Sequence, residues 1–184
     1  TPDFRRRFYA AMLPKLHAAA ARHMDGFRES NTAVVTGDGS TTDRPLTEAG
    51  SILSPGISLI IDCETLDNTP RSIITEIGAV AFRRSDFSVA DTLDIKLDLY
   101  DQLATRHVSQ DTIDFHRSKG TLPTSAIGTR PILAAGLLQE FIDSYRPVRV
   151  WIQGTCFERP LIQDFFADLG QPLPWHFTRS SDCR

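Results

Sequence analysis

The sequence has few cysteines, little net charge and no long apolar run. Its three cysteines, Cys63, Cys156 and Cys183, form no CxxC pair and no Cys/His pair at zinc spacing, which argues against a disulfide framework or a zinc site. The net charge of −3 excludes a globally basic surface, so any contact with nucleic acid must be local. No apolar run approaches the ~20 residues of a membrane span. We therefore expect a protein of the reducing cytoplasm that does not bind membranes.

The first 56 residues differ in character from the remainder of the chain. Residues 4–27 carry apolar side chains mostly four positions apart, which predicts an amphipathic helix that Pro14 kinks or divides. Residues 28–56 are rich in Gly, Ser, Thr, Asp and Pro, and predict a polar linker. We expect the helix to pack on its own domain. A contact with a protein partner, or self-association through this helix, is the alternative.

Residues 57–184 are typical of an α/β domain. Three apolar segments without intervening helices, at residues 57–62, 73–82 and 92–99, predict an antiparallel meander. Ser109 is a candidate N-cap and Gly170 a candidate helix end. The later predicted elements are helices at residues 110–117, 131–145 and 159–169, and a short strand at residues 149–153.

Asp62 and Glu64 stand at the end of the first predicted strand. Strand residues two apart point the same way, so their carboxylates share one face and Cys63 points to the other. Neighbouring carboxylates are costly to bury unless a cation lies between them. Magnesium and manganese prefer oxygen ligands, and hydrolysis by two metals needs one carboxylate that bridges both ions. Asp62 is the natural bridge and Glu64 the natural ligand of one ion.

These two acids stand in a recognisable pattern. Residues 62–65 (DCET), followed by residues 74–80 (ITEIGAV), resemble the first exonuclease motif of the DEDD superfamily, which has the ribonuclease H-like fold. These two segments resemble the corresponding sequences of a subgroup that contains tailed-phage and prophage 3′→5′ exonucleases and a mycobacterial exoribonuclease. Residues 112–116 (TIDFH) resemble another segment of that subgroup. In the subgroup aromatic residues occupy the last two places of this segment, so His116 departs from the pattern.

This resemblance implies a mixed sheet with flanking helices, and two Mg²⁺ or Mn²⁺ ions in a bacterial or phage-infected cell. It also implies removal of nucleotides from the 3′ end of single-stranded DNA or RNA. Thr65 and Leu66 are expected near the terminal nucleotide, with simple loop packing as an equal alternative for Leu66. Glu76 is expected to be structural.

Residues 150–161 (VWIQGTCFERPL) resemble the second motif of the same superfamily. That motif is a strand, a turn and a Phe-Asp pair that opens a helix, the Asp being the third carboxylate. Glu158 holds the place of the Asp and is the expected third metal ligand. Phe157 is expected to pack under the site, against substrate. The plainer alternative for Glu158 is a favourable charge at the positive end of a helix.

The superfamily also uses a fourth carboxylate and a His or Tyr general base on a late helix. The sequence after Glu158 lacks that third motif, so we expect a domain truncated before it. Asp182 is expected to be structural rather than the fourth ligand. General-base work by His107 or His116 stays open, although a single His is more often structural.

Two other functions stay open. A haloacid-dehalogenase-type phosphatase requires Asp-x-Asp-x-Thr, which residues 62–66 (DCETL) do not match. A catalytically incomplete DEDD-like domain would bind a nucleic-acid end or a protein, with the basic residues 5–7 and 83–84 as candidate phosphate contacts. A solvated face is the stronger interpretation of these short basic runs. The exonuclease is therefore the favoured hypothesis.

Overall fold

The structure is a computed structural model that describes residues 56–153 and 156–182, apart from the side chain of Phe177. The predicted N-terminal helix and the linker up to residue 55 lie outside the described residues. Over the part of the chain that is described, none of the helices has the length and apolar character needed to cross a membrane.

The first three strands form the predicted antiparallel meander: β1 (Ile57–Thr65), β2 (Ile74–Arg83) and β3 (Val89–Lys96). The expectation that β1 ends at Asp62 was wrong, because the strand continues through Glu64, which pairs with Glu76 of β2. Asp62 and Glu64 are therefore paired strand residues. The direction of both side chains is set by the pleat of the sheet.

β3 ends at Lys96 and not, as the alternating pattern predicted, at residue 99. Leu97 is buried and forms a parallel bridge with Thr129. The next amide, that of Asp98, donates to the carbonyl of Thr129 at 2.9 Å. The alternation of apolar residues therefore continues beyond the end of β3. The residues after Lys96 no longer pair with β2 but with the loop that precedes the second helix.

A short 3-10 helix at Tyr100–Gln102 follows this segment. The buried side-chain amide of Gln102 accepts a hydrogen bond from the Ile74 amide at 3.0 Å and donates one to the Ile74 carbonyl at 2.9 Å. Gln102 therefore satisfies the backbone of β2 where β3 no longer reaches it.

Two parallel strands complete the sheet. β4 (Arg149–Ile152) pairs with the free edge of β1, and β5 (Ser180–Asp182) pairs with β4, so that the sheet order is β3-β2-β1-β4-β5. β4 was predicted from its apolar centre. β5 was not, because its three residues are polar and carry no apolar alternation.

Three helices flank the sheet: α1 (Gln110–Lys119), α2 (Pro131–Tyr145) and α3 (Glu158–Asp168). Ser109 caps α1 as predicted, since its hydroxyl accepts the amide hydrogen of Thr112. α2 spans the predicted residues. α3 begins one residue earlier than predicted, at Glu158, and Gly170 follows its end with a positive φ of 69°.

The main core lies on one face of the sheet, under α2 and α3. Leu59 and Ile61 of β1 belong to it, and because side chains alternate along a strand, Asp62 and Glu64 point to the opposite face. The other fully or nearly fully buried members are Ile74, Ile77, Ala79, Ala81, Ile95, Leu97, Ala134, Ala135, Leu138, Phe141, Ile142, Val150, Ile152, Leu161, Ile162, Phe165, Phe166 and Trp175.

Gly128 marks the closest approach between the loop that precedes α2 and the segment that follows β3. A Cβ atom at this position would lie 2.6 Å from the carbonyl carbon of Leu97 and 2.7 Å from the carbonyl oxygen of Lys96. Both are backbone atoms, so the clash has no flexible side chain to absorb it. Gly136, inside α2, has open space in the same direction.

We predict that Gly128→Ala lowers the free energy of unfolding by about 1–3 kcal/mol, because the loop must move away from β3. The control Gly136→Ala raises it by about 0.5–1 kcal/mol, since Ala is the better residue inside a helix. Urea unfolding of both variants measures the difference. Equal effects of the two substitutions would contradict this packing.

Candidate active site

The parallel pairing of β1 with β4 brings the predicted carboxylates to one edge of the sheet. Ile61 of β1 lies opposite Ile152 of β4, so the carboxyl ends of both strands meet there. β1 continues to Asp62 and Glu64, while β4 leads through a short loop to Glu158, the first residue of α3. Residues almost a hundred positions apart in the chain are thereby neighbours.

Glu158 is the most buried of these acids, with 4% of its surface exposed. The backbone amides of Gln153 and Cys63 donate hydrogen bonds to its carboxylate, which also contacts the carboxylate of Asp62. Its Oε2 atom is buried without a hydrogen-bond partner among the described residues. Burial, followed by the contact with Asp62, raises the pKa of Glu158 well above its ordinary value.

Burial and the nearby acids also raise the pKa values of Glu64 and Cys63. Burial, and then the charge of Asp62, raise the pKa of Glu64. Burial, and then the charge of Glu158, raise the pKa of the Cys63 thiol well above its ordinary value, so that Cys63 stays a neutral thiol behind the site. A positive charge between the acids would oppose these shifts by lowering each pKa.

The chemistry of these donors fits a hard divalent cation. All of them are carboxylate oxygens, the type that Mg²⁺ and Mn²⁺ prefer, and one buried oxygen has no partner in the described chain. In the coordinates of the described residues, however, no group of three acidic, His or Cys side chains stands close enough together to hold a metal ion. The assignment of Asp62, Glu64 and Glu158 as ligands therefore stays a prediction.

Thr65 and Leu66, predicted to meet the terminal nucleotide, are 9% and 8% exposed. The Thr65 hydroxyl donates to the Asp67 carbonyl at 2.7 Å, and the Leu66 amide donates to the Ile73 carbonyl at 3.0 Å. Both residues thus shape the β1–β2 turn. Phe157 is half-buried and packs against the core next to Glu158 in sequence. Contact of the three with a substrate stays a prediction.

His116 supports the end of β1 from α1. Its side chain is buried, with Nε2 2.9 Å from the carbonyl oxygen of Thr65 and Nδ1 2.8 Å from the hydroxyl of Thr121. A hydrogen on Nε2 is required for the first bond, because the carbonyl only accepts. His116 therefore holds the residue that follows Glu64. His107 is exposed, and its backbone pairs with Arg71 and Ile73.

Arg106 is a positioning residue that the sequence analysis missed. Its side chain is 2% exposed and donates to the Ser72 carbonyl at 2.9 Å. Its guanidinium lies 3.2 Å from Asp164 and 3.5 Å from Asp168, and the cation stacks over Phe165. These three residues belong to α3, so Arg106 anchors the helix that carries Glu158.

The i, i+4 spacing of Asp164 and Asp168 was the available signal for this anchor, since it puts both acids on one helix face. Arg71 strengthens the anchor from the β1–β2 turn, with ion pairs to Asp164 at 3.3 Å and Asp168 at 3.2 Å. α3 is thereby tied to the turn that follows β1, and the relative position of Glu158 and Asp62 depends on this tie.

Comparison with known proteins agrees with this architecture. Residues 57–184 match the Rv2179c-like 3′-5′ exoribonuclease domain. The chain belongs to this family. No curated protein matches it in sequence.

Solved structures of Escherichia coli Exonuclease I have a fold similar to that of this chain. The complex with a dT13 oligonucleotide has a TM-score of 0.52 and 13% sequence identity, over 69% of this chain and 27% of that one. The metal-free complex with single-stranded DNA has a TM-score of 0.54 and 12% identity, over 69% and 27%. The chain thus spans less than a third of Exonuclease I. The predicted ribonuclease H-like mixed sheet with flanking helices is confirmed, and at such identity the likeness concerns the fold alone.

Asp182 lies in β5, opposite Ile152 of β4, and its backbone pairs within the sheet. The expectation that it is structural rather than a metal ligand stays a prediction.

We predict that Arg106→Met lowers the free energy of unfolding by about 3 kcal/mol, because two acids of α3 lose their buried partner. This value is at the lower end of the losses in stability seen when one partner of a buried ion pair is removed. The reason is that the side chains of Asp164 and Asp168 are 27% and 23% exposed. The matched control is Arg130→Met. Arg130 pairs with Asp101 at a side-chain exposure of 71%, and its loss costs less than about 1 kcal/mol. Chemical unfolding measures both, and equal losses would argue against an anchor.

We predict that the metal-free domain loses stability as pH rises. The folded state binds the Glu158 proton more tightly than the unfolded chain, in which the pKa is the ordinary 4.5. The stability that this proton supplies is therefore lost progressively as pH rises above about 4.5. Glu158→Gln cannot ionise, so its melting temperature should fall less than that of the natural chain between about pH 5 and pH 9.

Calorimetry in the presence of a chelator measures these melting temperatures. Glu140→Gln, which removes an exposed acid of α2, is the control and should follow the natural chain. Parallel curves for the natural chain and Glu158→Gln would contradict the raised pKa.

Proposed function

We propose that this chain hydrolyses single-stranded RNA from its 3′ end with two divalent cations held by Asp62, Glu64 and Glu158. The observation that carries the proposal is the buried carboxylate of Glu158, with its unpartnered oxygen, against Asp62 where β1 and β4 end. With both acids ionised such an arrangement is unfavourable unless a cation lies between them, and hydrolysis of phosphodiesters by two metals uses carboxylates of this kind.

Each acid has a distinct role in this proposal. Asp62 contacts Glu158, and its charge adds to burial in raising the pKa of Glu64, so Asp62 is the acid that both cations would share. Magnesium or manganese supplies a Lewis acid and an activated water when it is bound. Glu158 extends one methylene, ~1.5 Å, further than the Asp usual in the motif. Its place at the first turn of α3 also sets its charge at the positive end of the helix.

The surrounding residues orient the substrate in this proposal. Thr65 and Leu66 line the turn that follows Glu64, where the terminal nucleotide would lie. His116 holds the Thr65 carbonyl at 2.9 Å, so the turn is fixed before substrate arrives. Phe157 packs beneath Glu158. Preorganised groups of this kind keep reacting atoms in position without further ordering.

RNA is the proposed substrate because the matching family is described as exoribonucleases. Two of the solved structures of Exonuclease I, in contrast, are complexes with a dT13 oligonucleotide and with single-stranded DNA. That likeness extends to the fold alone, so it gives less support for DNA as the substrate of this chain.

We predict that the chain shortens 5′-labelled single-stranded RNA from its 3′ end in the presence of Mn²⁺ and that a chelator stops it. Asp62→Ala should lower the rate by about 100-fold or more, because the bridging charge is lost. Glu140→Gln is the control and should keep the natural rate. Gel electrophoresis of the products resolves the single-nucleotide ladder.

Other outcomes separate the alternatives. Binding of the labelled strand without shortening would favour the catalytically incomplete binding module. Shortening that persists in Asp62→Ala would mean that this acid is not part of the machinery, and the proposed site would be abandoned.

A further inference from the structure

A row of charged side chains crosses the sheet beside the candidate active site. Glu64 of β1 pairs with Glu76 of β2, which in turn pairs with Lys96 of β3. Residues directly opposite one another in antiparallel strands share a face, so all three point the same way as Asp62. Neighbouring strands lie about 4.8 Å apart, so Glu76 stands one strand away from the acids proposed to act on the scissile phosphate.

This row forms one wall of a pocket. The other wall is the loop that joins α1 to α2. The residues used here are Glu64, Glu76 and Lys96 on the sheet, and Thr121, Ser125 and Ile127 on the loop. Glu64 therefore borders both the carboxylate site and the pocket, which makes the two continuous.

Most of the polar groups in the pocket already have partners. The Thr121 hydroxyl bonds to His116, and the Ser125 hydroxyl bonds to the backbone of Ile127. Glu76 contacts Asp94, and burial followed by this contact raises the pKa of Glu76. Its Oε1 atom is nevertheless buried without a hydrogen-bond partner among the described residues.

The unpartnered oxygen calls for a hydrogen-bond donor from a ligand. A cation is disfavoured here, because Lys96 already supplies a positive charge in the same row. A hydroxyl group satisfies a carboxylate oxygen without adding charge. At the rim, Ile127 exposes 75% of its surface, which offers an apolar contact for a flat ring.

A ligand with hydroxyls, a ring and a phosphate on one side is a nucleotide. We propose that this pocket receives the ribose of the 3′-terminal nucleotide and that Glu76 accepts a hydrogen bond from its 2′-hydroxyl. The inference rests on the proposed function, since Glu64 is taken to act on the adjoining phosphate. Glu76 is then the residue that favours RNA over DNA, because the 2′-hydroxyl is the group by which the two differ.

The test compares the binding of AMP and dAMP by calorimetry in the presence of Mn²⁺. The natural chain should bind AMP about tenfold more tightly or better, since the deoxy ligand leaves the buried acceptor unpaired. Glu76→Ala should bring the ratio close to one while the affinity for dAMP stays unchanged. Glu76→Gln keeps an acceptor and should keep a preference for AMP. Glu140→Ala is the control and should behave like the natural chain.

A further probe needs no variant. 2′-O-methyl-AMP cannot donate from its 2′ oxygen and should bind no better than dAMP. Equal affinities of the natural chain for AMP and dAMP, no measurable binding of either, or an unchanged ratio in Glu76→Ala would each overturn the proposal. Equal weakening of both ligands in Glu76→Ala would overturn it too, since that is the mark of a merely structural residue.

Failure of this inference is distinguishable from failure of the proposed function. Shortening of RNA and DNA at equal rates, with equal binding of AMP and dAMP, removes the role of Glu76 and leaves the nuclease. A clear preference for AMP without shortening of any strand leaves the ribose pocket and removes the nuclease.

Discussion

The burial of Glu158 against Asp62 is the contact on which the arrangement of the candidate site depends. Burial beside Asp62 disfavours the ionised form of Glu158, so the fold must hold the two side chains together by contacts elsewhere. Parallel pairing of β1 and β4 brings both to the same edge, and Arg106 and Arg71 tie α3 to the turn after β1. The two acids are thus held in contact by the surrounding frame, and a bound cation would stabilise the ionised form of both.

Much of the fold could be predicted because apolar periodicity is a local property. The meander, the Ser109 cap and the start of α2 at Pro131 all depend on residues near one another in the chain. β5 could not be predicted, since its polar residues become a strand only by pairing with β4, about 30 positions earlier. The length of β1 likewise depends on Glu76, which pairs with Glu64 across the turn.

The candidate site was predictable to a different extent. Asp62, Glu64 and Glu158 stood out because their motifs resemble those of a known superfamily, and the structure brings Asp62 and Glu158 into contact. Arg106 carried no such signal. Its burial depends on Asp164, which is 58 positions away, and a single Arg between polar residues gives no hint of that partner. The structural role of His116 was predictable only from the general rule that a single His is more often structural than catalytic.

The bonds between Gln102 and Ile74 have a consequence for the behaviour of the sheet in solution. At the start of β2, where β3 no longer reaches, an amide and a carbonyl would otherwise be available to another chain. The Gln102 side chain imitates a peptide group and occupies both. The side chain of Gln102 thus protects this part of the sheet edge from pairing with the edge of another chain. A single residue does here what a longer β3 would otherwise do.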